Sequence, residues 1–410
     1  MKIIFLTQYL PSPSQPGGSR PWMVSKYFGS KGHVVKVITS EADYLTGMSL
    51  KDSIDQDELP TSVDVLRVKT IQIGKHLFSR LLQYSTFLFF AFFKAIKIKK
   101  ADIVLASSPP IFVGMLGYFI AKFKGSKFVF EVRDPWPDAI VHFNVLKSKR
   151  IIKSLYQLEN FLYRKADLLI VISPGIKKLL ESKGVTADKI KVITNAYDLE
   201  IFEAARKKNY QKTASSNEIT NVIYAGSLGE INELPALIAV AEILKAYSNI
   251  KFSFIGAGKL EKELKNLIVS KKLENVSVLC AVSKKKIPEV LFAADIAILA
   301  SPPGLYSEIG LYNKLFDYLG AGLPVVAAAR GDMEEILTKS GAGIVVAPGD
   351  SEAMAQGIVI LARNRQKARE MGEKGRTYLG LYYEREKILS KYLKIIEDLV
   401  DDACAKKVDL

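Results

Sequence analysis

The stretch YSEIGLYNKLFDYLGAGLPVVAAA, residues 306–329, decides the fold. It reads as a loop, a short helix, a glycine turn and a buried strand. Leu311, Leu315, Tyr318 and Leu319 recur at helical spacing, so one face packs inward. Lys314 and Asp317 stand three apart and share another face. Gly320 and Gly322 end the helix, and Pro324 forbids its continuation. The run that follows is apolar on both faces, as in a parallel sheet covered on both sides. Free N–H groups at the helix start, near Gly310 and Leu311, form a ready anion site. Anion site, cation and carboxylate within one turn suit a sugar nucleotide. An ordinary surface helix with an i,i+3 ion pair explains the same residues equally well.

Outward from this window, 410 residues suffice for two domains with full cores. Apolar content of 49% and charged content of 25% fit a soluble globular chain. Two cysteines, Cys280 and Cys404, give neither a disulfide framework nor metal spacing, so a reducing compartment is expected. His33, His76 and His142 do not cluster. Residues 1–14 read as a first strand running into a loop, not as a signal peptide. The net charge is +15 and unevenly spread. Residues 1–200 hold 29 Lys and Arg against 17 Asp and Glu; residues 201–410 hold 29 against 26. A basic first half suggests a polyanionic partner, either nucleic acid or an anionic membrane surface.

Strands and helices alternate twice along the chain. In the first half, strands are expected over 2–7, 33–39, 63–68, 103–106, 127–132, 167–172 and 191–193. In the second, they are expected over 221–224, 251–255, 276–279, 296–300 and 343–346, besides the opening window. Two such runs imply an α/β protein with two Rossmann-like, doubly wound parallel sheets. Ligands bind such sheets at the carboxyl ends of strands, here in the cleft between the two. The expected domains are 1–202 and 220–381, joined by a polar linker over 203–219. A terminal helix over 382–401 is expected to pack back on the first domain.

Residues 74–100 form a helical region loaded with aromatics: Phe78, Tyr84, Phe87, Phe89, Phe90, Phe92 and Phe93. Lys75 and Arg80 flank it on one side, Lys94, Lys97, Lys99 and Lys100 on the other. Its uncharged run, 81–93, is too short to span a bilayer. The longer run 103–121 is broken by Pro109 and Pro110. Most of these aromatics are expected in the core, with a basic-aromatic rim open as an interfacial patch.

Several strand ends carry candidate chemistry. Gly17 and Gly18 follow the first strand, where glycines let backbone N–H groups approach a phosphate. Arg133 and Asp134, in RDPWPD, lie just past a strand; the Arg could pair with an anion and the Asp orient a hydroxyl. An Arg–Asp staple on a proline-rich loop is the plainer alternative. Gly226 and Ser227 lie in a second strand-end glycine loop. Gly256-Ala-Gly258 starts like a dinucleotide fingerprint, but Glu261 stands where its third glycine belongs. Asp55 and Asp57 form a D-x-D triplet in a polar loop, better read as solvated than as metal-binding.

The combination resembles the retaining GT-B glycosyltransferases of family 4, in the bacterial O-antigen and capsule branch of N-acetylfucosaminyltransferase type. The residues that carry it are GGSRPWMVSKYFGSKGHVVKVIT (17–39), SSPPIF (107–112), FEVRDPWPD (130–138), LIVIS (169–173), KVITNAYDLEIF (191–202), IYAGSLGE (223–230), FIGAGKLEKEL (254–264), AADIAIL (293–299) and NKLFDYLGAGLPVV (313–326). The resemblance implies a nucleoside-diphosphate sugar, with an N-acetylated deoxyhexosamine as one candidate, held by the second domain. It implies a lipid-linked saccharide acceptor at the first, no metal and no cofactor. It further implies surface-polysaccharide assembly, a cytoplasmic enzyme peripheral on the inner membrane face, and no nucleic-acid partner. Donor-binding residues would be Gly17, Gly18, Gly226, Ser227, Glu308, Gly310, Leu311, Lys314 and Asp317. Arg133 and Asp134 would be catalytic and face Lys314 and Asp317 across the cleft. The family's paired glutamates, separated by seven intervening residues, are represented by Asp317 alone; Ile309 occupies the first position, with Glu308 beside it. The family's phosphate-binding Arg and Lys after the second-domain glycine loop are absent, with Ser227 and Glu233 nearby; Lys314 would supply the charge. The rival readings are a nucleotide-sugar 2-epimerase of the same architecture and a non-catalytic basic protein binding nucleic acid or membrane.

Overall fold

The computed structural model describes residues 1–41, 59–71, 77–209 and 219–408. Asp55, Asp57, Lys75 and His76 lie outside the described residues, as do the side chains of Phe78, Arg80 and Cys404. The chain divides into two compact units. The first comprises Met1–Ser12, Ser19–Thr194 and Leu389–Leu410; the second comprises Pro13–Gly18 and Asn195–Ile388.

The first unit is built on seven strands: β1 Lys2–Thr7, β2 Val34–Ser40, β3 Val63–Val68, β4 Ile103–Ser107, β5 Lys127–Val132, β6 Leu168–Val171 and β7 Ile190–Val192. They pair in parallel in the order β3-β2-β1-β4-β5-β6-β7. β1, β4 and β5 are buried nearly throughout, because helices cover both faces of a parallel sheet. Local chemistry sets the helix limits. Ser173 caps the helix Pro174–Ser182, its hydroxyl accepting from the Ile176 N–H at 3.1 Å, with Pro174 fixing the first turn. Gly125, in the left-handed region at φ 63°, ends the helix Ile111–Lys124.

The second unit has six parallel strands: β8 Thr220–Ala225, β9 Ile250–Ile255, β10 Val276–Leu279, β11 Ile296–Ala300, β12 Val325–Ala328 and β13 Gly343–Val346. Their order is β10-β9-β8-β11-β12-β13. Both units are therefore doubly wound α/β sheets, and both reverse strand order beside their first strand, at β1/β4 and at β8/β11.

Three stretches differ from the sequence reading. RDPWPD does not remain a loop: Trp136–His142 is helical, with Pro137 in the first turn, where a missing N–H costs nothing. Residues 203–209, read as linker, continue the helix Leu199–Asn209, anchored by buried Phe202 and Ala205. The aromatic helix Leu77–Ile96 buries Phe87 fully but leaves Phe89, Phe90 and Phe93 exposed, so its rings are not mostly core. A further helix, Gly331–Ser340, has no counterpart in that reading.

Candidate functional site

In the second unit the strand order reverses between β8 and β11, so the loops leaving their carboxyl ends diverge and open a crevice. The helix Asn313–Gly320 stands beside it. Tyr318 latches this helix to β8: its hydroxyl accepts from the Ala225 N–H at 2.8 Å and donates to the Ala225 carbonyl at 3.2 Å. Leu311, Leu315 and Leu319 complete the buried face.

Lys314 reaches back from this helix toward the end of β8. Its ammonium donates to the Tyr224 hydroxyl at 2.9 Å and to Asn232 Oδ1. It lies 4.5 Å from the centroid of the Tyr224 ring and 5.4 Å from that of Tyr312. The two acceptors are fixed in turn, since Tyr224 and Asn232 both donate to the Ser227 carbonyl, at 2.6 and 2.7 Å. No carboxylate pairs with Lys314 among the described residues. Desolvation by these neutral groups lowers its pKa to about 7. Gly226 makes the approach feasible: a Cβ there would lie 3.0 Å from Lys314 Cε.

Asp317 turns elsewhere. Its Oδ1 pairs with Lys284, both side chains largely buried at 16% and 19% exposure. The i,i+3 ion pair between Lys314 and Asp317, one of the two readings of the opening window, does not form. Lys284 is positioned by the loop Pro13–Gly18: its N–H donates to the Gln15 carbonyl at 3.3 Å, and that of Lys285 to Pro13 at 3.2 Å. A Cβ on Gly18 would lie 3.4 Å from Asn313 Nδ2. The glycine pair Gly17 and Gly18 thus lies at the start of the Lys314 helix, Gly17 in the left-handed region at φ 116°.

The anion-facing helix start is displaced from the expected place. The helix begins at Asn313, not at Gly310 and Leu311, because a short helix Leu305–Ile309 precedes it and Tyr312 is extended. Gly310 is buried where a Cβ would meet the Tyr306 carbonyl at 2.6 Å. The Leu311 carbonyl accepts from Asn195 Nδ2 at 3.4 Å. Glu308 is exposed on the short helix, while Ile309 is buried. Gly256 and Gly258 serve backbone packing: Cβ atoms there would lie 1.9 Å from the Gly226 oxygen and 2.3 Å from the Leu228 oxygen. The second unit therefore brings together Gly17, Gly18, Gly226, Ser227, Lys314 and Asp317. Tyr224, Asn232 and Lys284 join them without having been singled out from the sequence, and Tyr318, read there only as part of the buried helix face, joins them as well; each meets a partner across 33 to 93 residues of chain, Asn232–Ser227 and Tyr224–Ser227 apart.

In the first unit Arg133 Nε donates to the Ser108 carbonyl at 2.7 Å, tying the loop after β5 to that after β4. Desolvation raises the pKa of half-buried Asp134 above the usual carboxylate range, with Arg133 only partly opposing it. The adjoining helix is anchored through Asp138, which accepts from Tyr156 at 3.0 Å and pairs with Lys183 at 2.6 Å. Lys183 also pairs with fully buried Glu159 at 2.8 Å. Behind them, Glu131 accepts from Arg20 at 2.9 and 3.0 Å and from Ser107 at 2.7 Å. Burial pushes the Glu131 pKa up, but Arg20, Arg133 and Ser107 outweigh it and hold the carboxyl below its ordinary value. His142 sits edge-on to Phe143, ring centroids 4.8 Å apart. Among the described residues no group of three His, Cys, Asp or Glu is arranged to hold a metal.

Residues 22–201 match the model of Glycosyltransferase Family 4, and residues 219–364 that of Glycosyl transferases group 1. The probable glycosyltransferase WbjE of Pseudomonas aeruginosa is 23% identical over 278 residues, 66% of this chain and 69% of that protein. The sulfoquinovosyl transferase SQD2 of Arabidopsis thaliana is 26% identical over 68% of this chain and 53% of its own length. The amylovoran biosynthesis glycosyltransferase AmsK of Erwinia amylovora is 26% identical over 49% of each chain. The aligned part of the chain thus spans 49% to 69% of the length of these relatives. Among solved structures, sucrose-phosphate synthase from Thermosynechococcus elongatus superposes with a TM-score of 0.77 at 16% identity, covering 98% of this chain and 99% of that one. Anabaena HepE in complex with UDP-glucose gives 0.73 at 19% identity, covering 97% and 100%. The chain thus carries a family 4 match in its first half and a group 1 match in its second, on two parallel sheets with the fold of the GT-B glycosyltransferases.

Proposed function

We propose that this protein transfers a sugar from a nucleoside diphosphate, with retention at the anomeric carbon, to a lipid-linked saccharide at the cytoplasmic membrane face. The observation that carries the donor assignment is Lys314, a cation with no carboxylate partner among the described residues, at the strand-order reversal. Its neutral cage leaves the charge to be balanced by a diphosphate. The Asn313 helix start and the Gly17–Gly18 loop offer N–H groups to the same phosphates. Asp317 keeps Oδ2 for ribose hydroxyls while Lys284 holds Oδ1.

The reaction breaks the bond between the anomeric carbon and the diphosphate oxygen. An acceptor hydroxyl attacks the same face, and its proton passes to the departing phosphate. Such an oxocarbenium-like path needs a stabilised leaving group more than a protein nucleophile. Arg133 and Asp134 would orient the acceptor hydroxyl. Relatives named for amylovoran and colanic acid biosynthesis favour a polysaccharide acceptor; the N-acetylated deoxyhexosamine donor rests on the sequence resemblance alone. No helix among the described residues is long and apolar enough to cross a membrane, so the membrane role assigned here is peripheral.

Nucleoside diphosphates should raise the melting temperature, because binding the folded state stabilises it. Lys314→Ala and Asp317→Ala should each abolish that shift while remaining folded. Free nucleoside diphosphate should be released only when a lipid-linked acceptor is supplied. Interconversion of nucleotide sugars without acceptor would replace the transferase reading with an epimerase.

A further inference from the structure

Six lysines line one cavity of about 500 Å³ in the first unit: Lys2, Lys36, Lys94, Lys97, Lys99 and Lys100. Lys2 opens β1 and Lys36 lies near the start of β2, while the other four close the Leu77–Ile96 helix and its connection to β4. The cavity therefore lies at the amino ends of the strands, opposite the end where Arg133 and Asp134 stand. One lysine is neutralised: Lys36 pairs with Asp64 at 2.9 Å. The Asp102 carboxylate accepts the backbone N–H of Lys2 at 2.7 Å. Among the described residues, Lys94, Lys97, Lys99 and Lys100 have no carboxylate partner. Four like charges within seven residues repel one another, and an anion entering the cavity relieves that repulsion.

Apolar rings border this charge. The helices Leu77–Ile96 and Ile111–Lys124 end side by side, where Lys124 donates to the carbonyls of Ile96, at 3.4 Å, and Ile98. Near these ends Phe89, Phe93, Phe119 and Phe123 are 58%, 46%, 51% and 70% exposed. Phe89 packs edge-on against Phe93 at 4.9 Å and against Phe90 at 5.4 Å. Rings packed edge-on to one another form a wedge rather than a series of open faces on which bases stack. A bilayer surface offers what both features need, phosphates outside and hydrocarbon beneath.

We propose that this face docks on an anionic lipid bilayer, with a headgroup phosphate in the lysine cavity and the phenylalanines at the headgroup–acyl boundary. The inference rests on the membrane-face reading above for its setting, but it does not require the donor assignment. It is tested by cosedimentation of the full chain with vesicles of phosphatidylcholine alone or mixed with phosphatidylglycerol. Binding should require phosphatidylglycerol and weaken with salt. Combining Lys97→Gln, Lys99→Gln and Lys100→Gln should lower the partition coefficient about a hundredfold, at about fivefold per lysine. Phe89→Ser with Phe123→Ser should keep the low-salt binding and lose the fraction that resists salt. Equal binding to both vesicles, indifference to the three lysines, or displacement of the vesicles by an oligonucleotide competing for those lysines would overturn the proposal. The nucleoside-diphosphate melting shift, run in parallel, separates the failures. No vesicle binding with an intact shift removes the docking face alone; vesicle binding without a shift removes the donor site alone.

Discussion

Lys314 carries a charge that its surroundings do not favour. With its pKa lowered by desolvation to about 7, against about 10.4 for an unfolded lysine, folding costs most where both states are protonated. That is below pH 7. Between pH 7 and about 10 the unfolded chain holds the extra proton, so stability rises with pH across this window. Lys314→Met should therefore stabilise the unliganded protein at pH 6 by roughly 2–4 kcal/mol. The gain should fade as pH climbs through the window, as read from denaturant midpoints. A difference that stays constant with pH would mean the ammonium is well solvated. A bound diphosphate should restore the charge, so nucleotide binding at pH 8 should take up a proton. Calorimetry in buffers of different ionisation enthalpy measures that uptake. The position of Lys314 on its helix was legible from sequence spacing. Its cage was not, because Tyr224 and Asn232 lie 90 and 82 residues away.

Among the elements, the helix Trp136–His142 depends most visibly on one side chain. Lys183 joins its Asp138 to Glu159 of the helix Lys149–Lys165, and Tyr163 donates to the same Glu159 at 2.8 Å. Removing the cation from such a cluster strands two carboxylates, one of them fully buried. Lys183→Met should cost about 3–5 kcal/mol and speed hydrogen exchange over residues 136–142. Unchanged exchange there would show that the prolines alone hold the helix. Those prolines also explain why the segment read as a loop, since composition does not reveal that Pro137 falls within a first turn. By contrast, β10, β11 and β13 were legible residue for residue, as short apolar runs bounded by polar or glycine turns. The helix Gly331–Ser340 was overlooked although Met333, Ile336 and Leu337 recur at helical spacing and are buried. The exposed phenylalanines show the opposite limit: a helix with aromatics on every side gives no periodicity from which to separate core from surface.

At the scale of the whole molecule, the two-sheet α/β organisation was legible from the doubled alternation of elements. The closing of the first unit by the chain's other end is seen in tertiary contacts. Leu389, Tyr392, Leu393 and Ile396 of the helix Arg385–Val408 are buried there. Tyr392 packs edge-on against Phe28 at 5.4 Å, with the Arg20 guanidinium 5.8 Å from its ring centroid. Tyr392→Ala should thus cost about 3–5 kcal/mol, typical of a large aromatic removed from a core. A chain ending at residue 388 should lose the cooperative melting of its first unit; an unchanged melt would exclude the helix from that core. The loop Pro13–Gly18 does the reverse, belonging by contacts to the second unit while lying near the start of the sequence. Recombination between related genes at the midpoint of the chain would therefore not exchange clean modules. A hybrid keeping this first half would import six residues that touch the new second half, and any change in its activity could not be credited to that half alone.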